Sequence, residues 1–338
     1  MTRIDDADEF TLVVPTFNGT RYLLRCLDYL QHIRFAGRIA LSDNSAGEHL
    51  AFVEACPARY PALWIDVFRY PASTRFLPKL IDTLDRIGSH AVMLCAHDDF
   101  VVPSAIERLL TILAQNPRLS LVRGRVAMFV LDRAKADSPA GEVSISLAQH
   151  PMRGYMQEDP VERVLDHLRN YSAAFYSVHR RENLAEAFRA TDRATRNVIF
   201  FQYLSSAIGA AQGTIECVDE LFYVRQGHAD SWSATLKRSG DIEHWPLLIA
   251  NPDYSRYYQE FRSALADFLV AQHGIDPAPL GALIDAASVG LIRRGLCGIE
   301  IDNPGEVAFQ QRLRDPATPD GTGLRRIVEF ANRYPDTY

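Results

Sequence analysis

The stretch Cys95-Ala96-His97-Asp98-Asp99-Phe100-Val101-Val102-Pro103 sets two carboxylates side by side directly after a short apolar run. Oxygen donors of this kind suit Mg²⁺ or Mn²⁺, with water and phosphate oxygens completing the shell. Adjacent Cα atoms lie about 3.8 Å apart, so both side chains reach one ion only where the chain turns. A strand end supplies such a turn. The plainer reading makes the aspartates helix caps, but Ser104 followed by Glu107 is a capping-box pattern that needs neither of them. His97 beside the pair is either a ligand or a solvated, hydrogen-bonded imidazole.

The elements that would position this turn are legible upstream. Phe10–Val14 reads as a strand closed by Pro15, and Asn18-Gly19 as a turn. From Thr20, Leu23, Leu24, Leu27 and Leu30 recur at helical spacing. Arg38–Ser42 is a second strand ending in the polar run Asp43-Asn44-Ser45; a helix over Leu50–Ala58, a strand over Trp64–Tyr70 and a helix over Phe76–Ile87 follow. Ala91–Cys95 has the continuous apolar character of a buried parallel strand. This alternation predicts a mostly parallel α/β sheet. Ligands of such sheets collect beyond the carboxyl ends of the strands, where Thr16–Gly19, Asp43–Ser45 and His97–Asp99 all fall.

Beyond residue 118 the pattern changes. Leu119–Leu131 reads as one long strand or a strand pair, and Asp132–Gly154 as an irregular loop beside an acceptor. Helices are predicted over Val161–Arg169 and Arg196–Ala211, with strand character in Ser172–Val178 and Thr214–Arg225. From about Tyr254 the chain reads mainly helical, with a Pro/Gly-rich break at Asp315–Gly323.

With 338 residues and 47% hydrophobic content the chain can bury a large core. A net charge of -6 argues against a nucleic-acid partner, which would call for a basic surface. Five cysteines without a C-x-x-C pair, and an acidic start where a signal peptide would be basic and apolar, lead to the expectation of a cytoplasmic protein. No run approaches 18 apolar residues. Leu283–Leu296 joins an apolar helical pattern to two arginines, so it is either a buried helix with a basic end or a peripheral contact with the inner membrane face.

Taken in order, Val13–Gly19 (V-V-P-T-F-N-G), Leu41–Ser45 (L-S-D-N-S) and Leu94–Pro103 (L-C-A-H-D-D-F-V-V-P) resemble family 2 glycosyltransferases of the GT-A fold. The resemblance covers residues 10–115 and runs more loosely to about 235, through Leu221–His228 (L-F-Y-V-R-Q-G-H). It implies a Rossmann-like GT-A domain over 1–240, with a nucleotide-sugar half (10–115), an acceptor half (116–240), and a helical region over 241–338. Pro15, Thr16 and Asn18 would then shape the loop over the nucleotide, and Asp43 would bond its base. Arg75 would meet donor phosphate; its alternative is a surface ion pair. Lys79 reads as a solvent-facing helical lysine. Asp99 would ligate the metal, and Asp98 would touch ribose, sugar or metal. His228 would be an additional metal ligand, and Trp232 either a sugar platform or a packing anchor. Ala96 departs from the family, which often has a further aspartate there.

The implied chemistry is metal-dependent, inverting transfer of a sugar from a nucleoside diphosphate donor to an acceptor hydroxyl. The acceptor would be a glycan, a lipid-linked carrier or a small molecule, in bacterial-type polysaccharide or glycoconjugate assembly. The acceptor must lose its proton to a carboxylate. Gln202, at the family's expected place, cannot take it. Asp192 is the first candidate, its alternative a plain surface or capping aspartate; Asp219 and Glu220, in a strand-like segment, are the runner-up pair, their alternative a solvated face or a bond to a loop. A sugar-phosphate nucleotidyltransferase is the rival enzyme, although it would open with a glycine-rich basic loop. A non-catalytic nucleotide-sugar-binding relative is the rival outside catalysis.

Overall fold

The computed structural model describes residues 9–132, 142–147, 152–228, 245–297 and 304–334. The predicted alternation is realised. Strand β1 (Phe10–Thr16), helix α1 (Thr20–His32), β2 (Arg38–Asp43), α2 (Gly47–Arg59), β3 (Trp64–Arg69), α3 (Phe76–Arg86) and β4 (Ala91–Leu94) follow one another. β1 and β4 are buried on both faces, which is why they read as unbroken apolar runs. β3, β2, β1 and β4 lie side by side and parallel. β2 sits on one side of β1 and β4 on the other, so the strand order reverses at β1. That is the switch point where open α/β sheets form their binding crevice.

The sheet continues with mixed strand directions. After the short β5 (Phe100–Val101) and α4 (Pro103–Gln115) comes β6 (Leu119–Asp132), a single 14-residue strand, with β7 (Glu142–Leu147) paired along its end. Helix α5 (Pro160–Arg169) precedes β8 (Val178–Arg180), which inserts antiparallel between β4 and β6. Helices α6 (Arg181–Ala194) and α7 (Val198–Gln212) lead into β9 (Thr214–Gly227), parallel to β6 and antiparallel to β5. The β6–β9 register shifts near Gly124, where a Cβ would lie 2.6 Å from the Glu220 carbonyl oxygen, so the two backbones can approach only at glycine.

The helical remainder comprises α8 (Trp245–Ala250), α9 (Tyr254–His273), α10 (Pro277–Cys297), α11 (Pro304–Arg314) and α12 (Pro319–Ala331). Phe309, Leu313, Leu324, Ile327 and Phe330 join the same buried cluster as Phe10, Tyr29 and Phe100, while Phe261, Leu265, Leu280 and Ile284 pack with Leu204 and Ile208 of α7. Among the described residues no helix is long and apolar enough to cross a membrane.

Three expectations fail for local reasons. The Ser104–Glu107 capping box is not used: α4 starts two residues earlier than that cap would place it, at Pro103, whose ring holds Val102 extended and needs no N–H at that position. Ser172–Ser177 is not strand, and β8 takes only Val178–Arg180. Asp132–Gly154 is not wholly irregular, because it contains β7.

Candidate active site at the strand ends

Thr16 and Asp43 are register partners at the carboxyl ends of β1 and β2. The Thr16 hydroxyl donates to Asp43 Oδ1 at 2.5 Å. The Ser45 hydroxyl donates to the same oxygen at 2.6 Å, and its N–H to Oδ2 at 3.1 Å. Asp43 is 0% exposed, so it knits the two loops together and presents no oxygen at the surface. Asn18, in a left-handed conformation (φ 47), closes the ring: its N–H donates to Ser45 Oγ at 2.8 Å, and its Oδ1 accepts from Ala46 N–H at 3.2 Å. Pro15 lies within β1, paired with Ser42.

The paired aspartates part company. Asp99 is buried; its Oδ2 accepts from the Tyr223 hydroxyl at 2.8 Å and its Oδ1 from the Gln226 N–H at 3.0 Å. Burial and the adjacent Asp98 charge push its carboxyl up to about 7, against the opposing pull of Arg225 and these two hydrogen bonds. Asp98 faces the other way, and its Oδ2 lies 2.9 Å from His228 Nε2. Burial alone would raise Asp98, but the His228 hydrogen bond and the nearby His97 and His228 charges outweigh it and bring the carboxyl down to about 2. The two carboxylates therefore do not converge as the sequence reading required. Asp99 anchors the turn to β9, and Asp98 pairs with His228.

A shell of residues not singled out from the sequence fixes this pair. The Tyr22 hydroxyl lies 2.9 Å from His228 Nδ1, and the two rings stack at 4.4 Å. Arg25, buried in α1, donates to the Asp98 carbonyl at 2.7 Å and to the Gln226 side chain. Tyr223 is stacked by Tyr176, and its hydroxyl accepts the Ala96 N–H at 3.1 Å. His97 fills the space over Gly19, where any Cβ would strike its ring; burial lowers its pKa. The available signal was in α1: Tyr22, Arg25 and Tyr29 recur at i, i+3 and i+7 along the flank of the leucine stripe.

The remaining sequence candidates fall in three places. Arg75 and Asp192 meet each other: Nη1 donates to Oδ1 at 2.7 Å and Nη2 to Oδ2 at 3.3 Å. Arg196 Nη1 donates to Asp192 Oδ1 at 2.9 Å, so two guanidiniums hold the carboxylate named as base. Asp219 and Glu220 lie far down β9; Asp219 is seven positions from Gln226, about 23 Å of strand. Asp219 pairs with Arg125 of β6 and Arg312 of α11, and Glu220 with Arg108 of α4, so these ion pairs tie β9 to a neighbouring strand and to two helices. The two runner-up carboxylates are thus not brought together with Asp98 and His228. Lys79 does not point to water: it is 3% exposed and donates to the Thr16 carbonyl and Asn44 Oδ1. Gln202 is exposed on α7, and Trp232 lies outside the described residues.

Among the described residues no three His, Cys, Asp or Glu side chains converge on one point. Asp98 and His228 still offer one hard oxygen donor and one imidazole on adjoining loops. That set fits a divalent cation whose other positions are filled by a diphosphate and water.

No protein-family model matches the chain, and no curated protein matches it by sequence. Its structure is similar to that of Staphylococcus aureus TarS residues 1–349 in complex with UDP, at 11% identity over 98% of this chain and 93% of that one, with a TM-score of 0.51. A weaker superposition, with a TM-score of 0.42 at 12% identity, covers 96% of this chain and 85% of the mannosyltransferase PcManGT from Pyrobaculum calidifontis in complex with GDP-Man and Mn²⁺. On the TarS likeness, the chain has a glycosyltransferase fold of the GT-A type.

Proposed function

We propose that the protein is a glycosyltransferase that moves a sugar from a nucleoside diphosphate donor to an acceptor hydroxyl. The observation that carries this reading is the Asp98–His228 pair, set at 2.9 Å beside the tied loops after β1 and β2 on a GT-A-type fold. The donor nucleotide lies over those loops, with its diphosphate toward Asp98. Asp98 and His228 would hold Mn²⁺ or Mg²⁺, and the imidazole in the set would favour Mn²⁺. When bound, the ion offsets the charge that gathers on the leaving diphosphate.

The glycosidic C–O bond breaks toward the nucleotide, and the anomeric carbon gains oxocarbenium character. The acceptor oxygen attacks from the opposite face and inverts the centre. Asp43 is assigned to building the loop floor that the base rests on. Asp192 is assigned to orienting Arg75 toward the donor phosphates, because both its oxygens are already engaged by the guanidiniums of Arg75 and Arg196. The acceptor hydroxyl gives its proton to a solvent water and through it to bulk buffer, since Asp192, Asp219 and Glu220 are each engaged by arginines. The UDP bound by TarS agrees with this donor class.

The test is donor turnover. Purified protein with Mn²⁺ is incubated with UDP- and GDP-linked sugars, and nucleoside diphosphate release is followed with and without oligosaccharide acceptors. Release from at least one donor, abolished in Asp98→Asn, is expected. Absence of release from every donor, with pyrophosphate formed from a sugar phosphate and a nucleoside triphosphate, would replace this reading with the nucleotidyltransferase.

A further inference from the structure

Lys79 is the buried cation of the strand-end region that the proposed chemistry leaves unused. It projects from the first turn of α3, and its ammonium reaches two loops at once: 2.9 Å to the Thr16 carbonyl after β1 and 2.6 Å to Asn44 Oδ1 after β2. Asn44 passes the connection on. Its Nδ2 donates to the carbonyls of Ala72 and Thr74, each at 3.2 Å, in the loop after β3, and its N–H donates to the Thr16 carbonyl at 3.4 Å. The ammonium thus joins two strand ends with two of its three N–H donors, and Asn44 carries the connection to the loop after β3.

Burying a charge is costly unless something near it needs it there. Neither direct partner of Lys79 is a carboxylate. The ionisable groups that face it are Asp43, on β2, and His97, in the turn after β4. A methionine of similar length would fill the same space without that cost, so core packing does not explain a lysine at this position.

We propose that Lys79 is a positioning residue for the nucleotide: its charged ammonium locks the loops after β1, β2 and β3 into the floor that receives a nucleoside diphosphate, so donor affinity depends on its protonation. The inference rests on the donor reading for the identity of the ligand, but the locking of the loops can be measured without any ligand.

Burial lowers the Lys79 pKa to about 8, with Asp43 pulling the other way. The sign for folding is opposite to the sign for binding. An unfolded lysine keeps its proton to about 10.4, so between about 8 and that value the unfolded state binds more protons and the Lys79 contribution to stability rises with pH. Affinity for an anionic nucleotide falls over the same interval. A purely structural lysine would not separate the two.

The experiment measures uridine and guanosine diphosphate binding to the wild type, Lys79→Met and Lys79→Arg by calorimetry with Mg²⁺ present from pH 6.5 to 9.5, with thermal melts and amide hydrogen exchange at each pH. The wild-type Kd is expected to stay level to about pH 7.5 and to rise about tenfold by pH 9.5, while the melting temperature shows no matching fall. Lys79→Met should bind about tenfold more weakly at pH 7, without the pH inflection and with a melting temperature no lower than wild type. Its Asn18, Asn44 and Ala46 amides should exchange faster. Lys79→Arg, which stays charged throughout, should bind without the inflection. Wild-type affinity in Lys79→Met, or unchanged exchange at those three amides, would overturn the inference. If the wild type bound neither nucleotide, the donor reading would fail, and the exchange rates alone would decide the role of Lys79.

Discussion

Neighbouring carboxylates at 98 and 99 show how little a residue type says until its partners are known. Asp98 is held below the ordinary range by the His228 hydrogen bond, despite burial, whereas Asp99 is raised by burial and by Asp98 itself. A depressed carboxylate stabilises the fold above its unfolded pKa and loses that contribution as pH falls through the folded one. Asp98 therefore stabilises the fold above the ordinary 3.8 and loses that contribution as pH falls toward about 2. Urea unfolding of the wild type and Asp98→Asn should show a stability gap that narrows as pH falls from 5 to 2. A gap independent of pH would contradict the Asp98–His228 pairing. Asp192 makes a second residue-scale case. With Arg75 and Arg196 on its oxygens, Asp192→Asn should raise the donor KM about tenfold with a small change in kcat. A loss confined to kcat would return it to the role of base.

At the scale of elements, helix starts separate what sequence spacing predicts from what the fold uses. Helix α7 is capped by Asn197, whose Oδ1 accepts from the N–H groups of Ile199 and Phe200. α4 begins at a proline with no side-chain cap bond. Asn197→Ala should cost about 1 kcal/mol, whereas Ser104→Ala should stay within about 0.5 kcal/mol; urea titrations of both variants check the contrast. The first seven elements were legible because apolar runs and stripes alternate cleanly from Phe10 to Leu94. Helix α6 was missed because its apolar face is sparse, carried by Leu184, Ala185, Ala187 and Phe188 among charged residues. The site was legible as three polar clusters at strand ends. Their internal bonding was not: Asp99 to Tyr223, Arg25 to Asp98 and Lys79 to Thr16 join residues 124, 73 and 63 positions apart. No local pattern encodes such pairings.

For the whole molecule, the fold places a switch point between β2 and β4 and closes it from the far side with β9, which delivers Tyr223, Gln226 and His228 to the turn after β4. Helices α11 and α12 belong to the same core as β1 and α1, so the strand-end region is braced by the last third of the chain. The account needs this assembly to grip a diphosphate through Asp98 with a cation between them. Two protein donors alone make a poor cation site, so metal and nucleotide should bind together. Calorimetric titration of uridine and guanosine diphosphate into the protein, with and without Mn²⁺, tests this most directly. The account predicts that Mn²⁺ tightens at least one nucleotide by tenfold or more, and that Asp98→Asn abolishes the gain. Equal affinity with and without Mn²⁺, unaffected by Asp98→Asn, would contradict it.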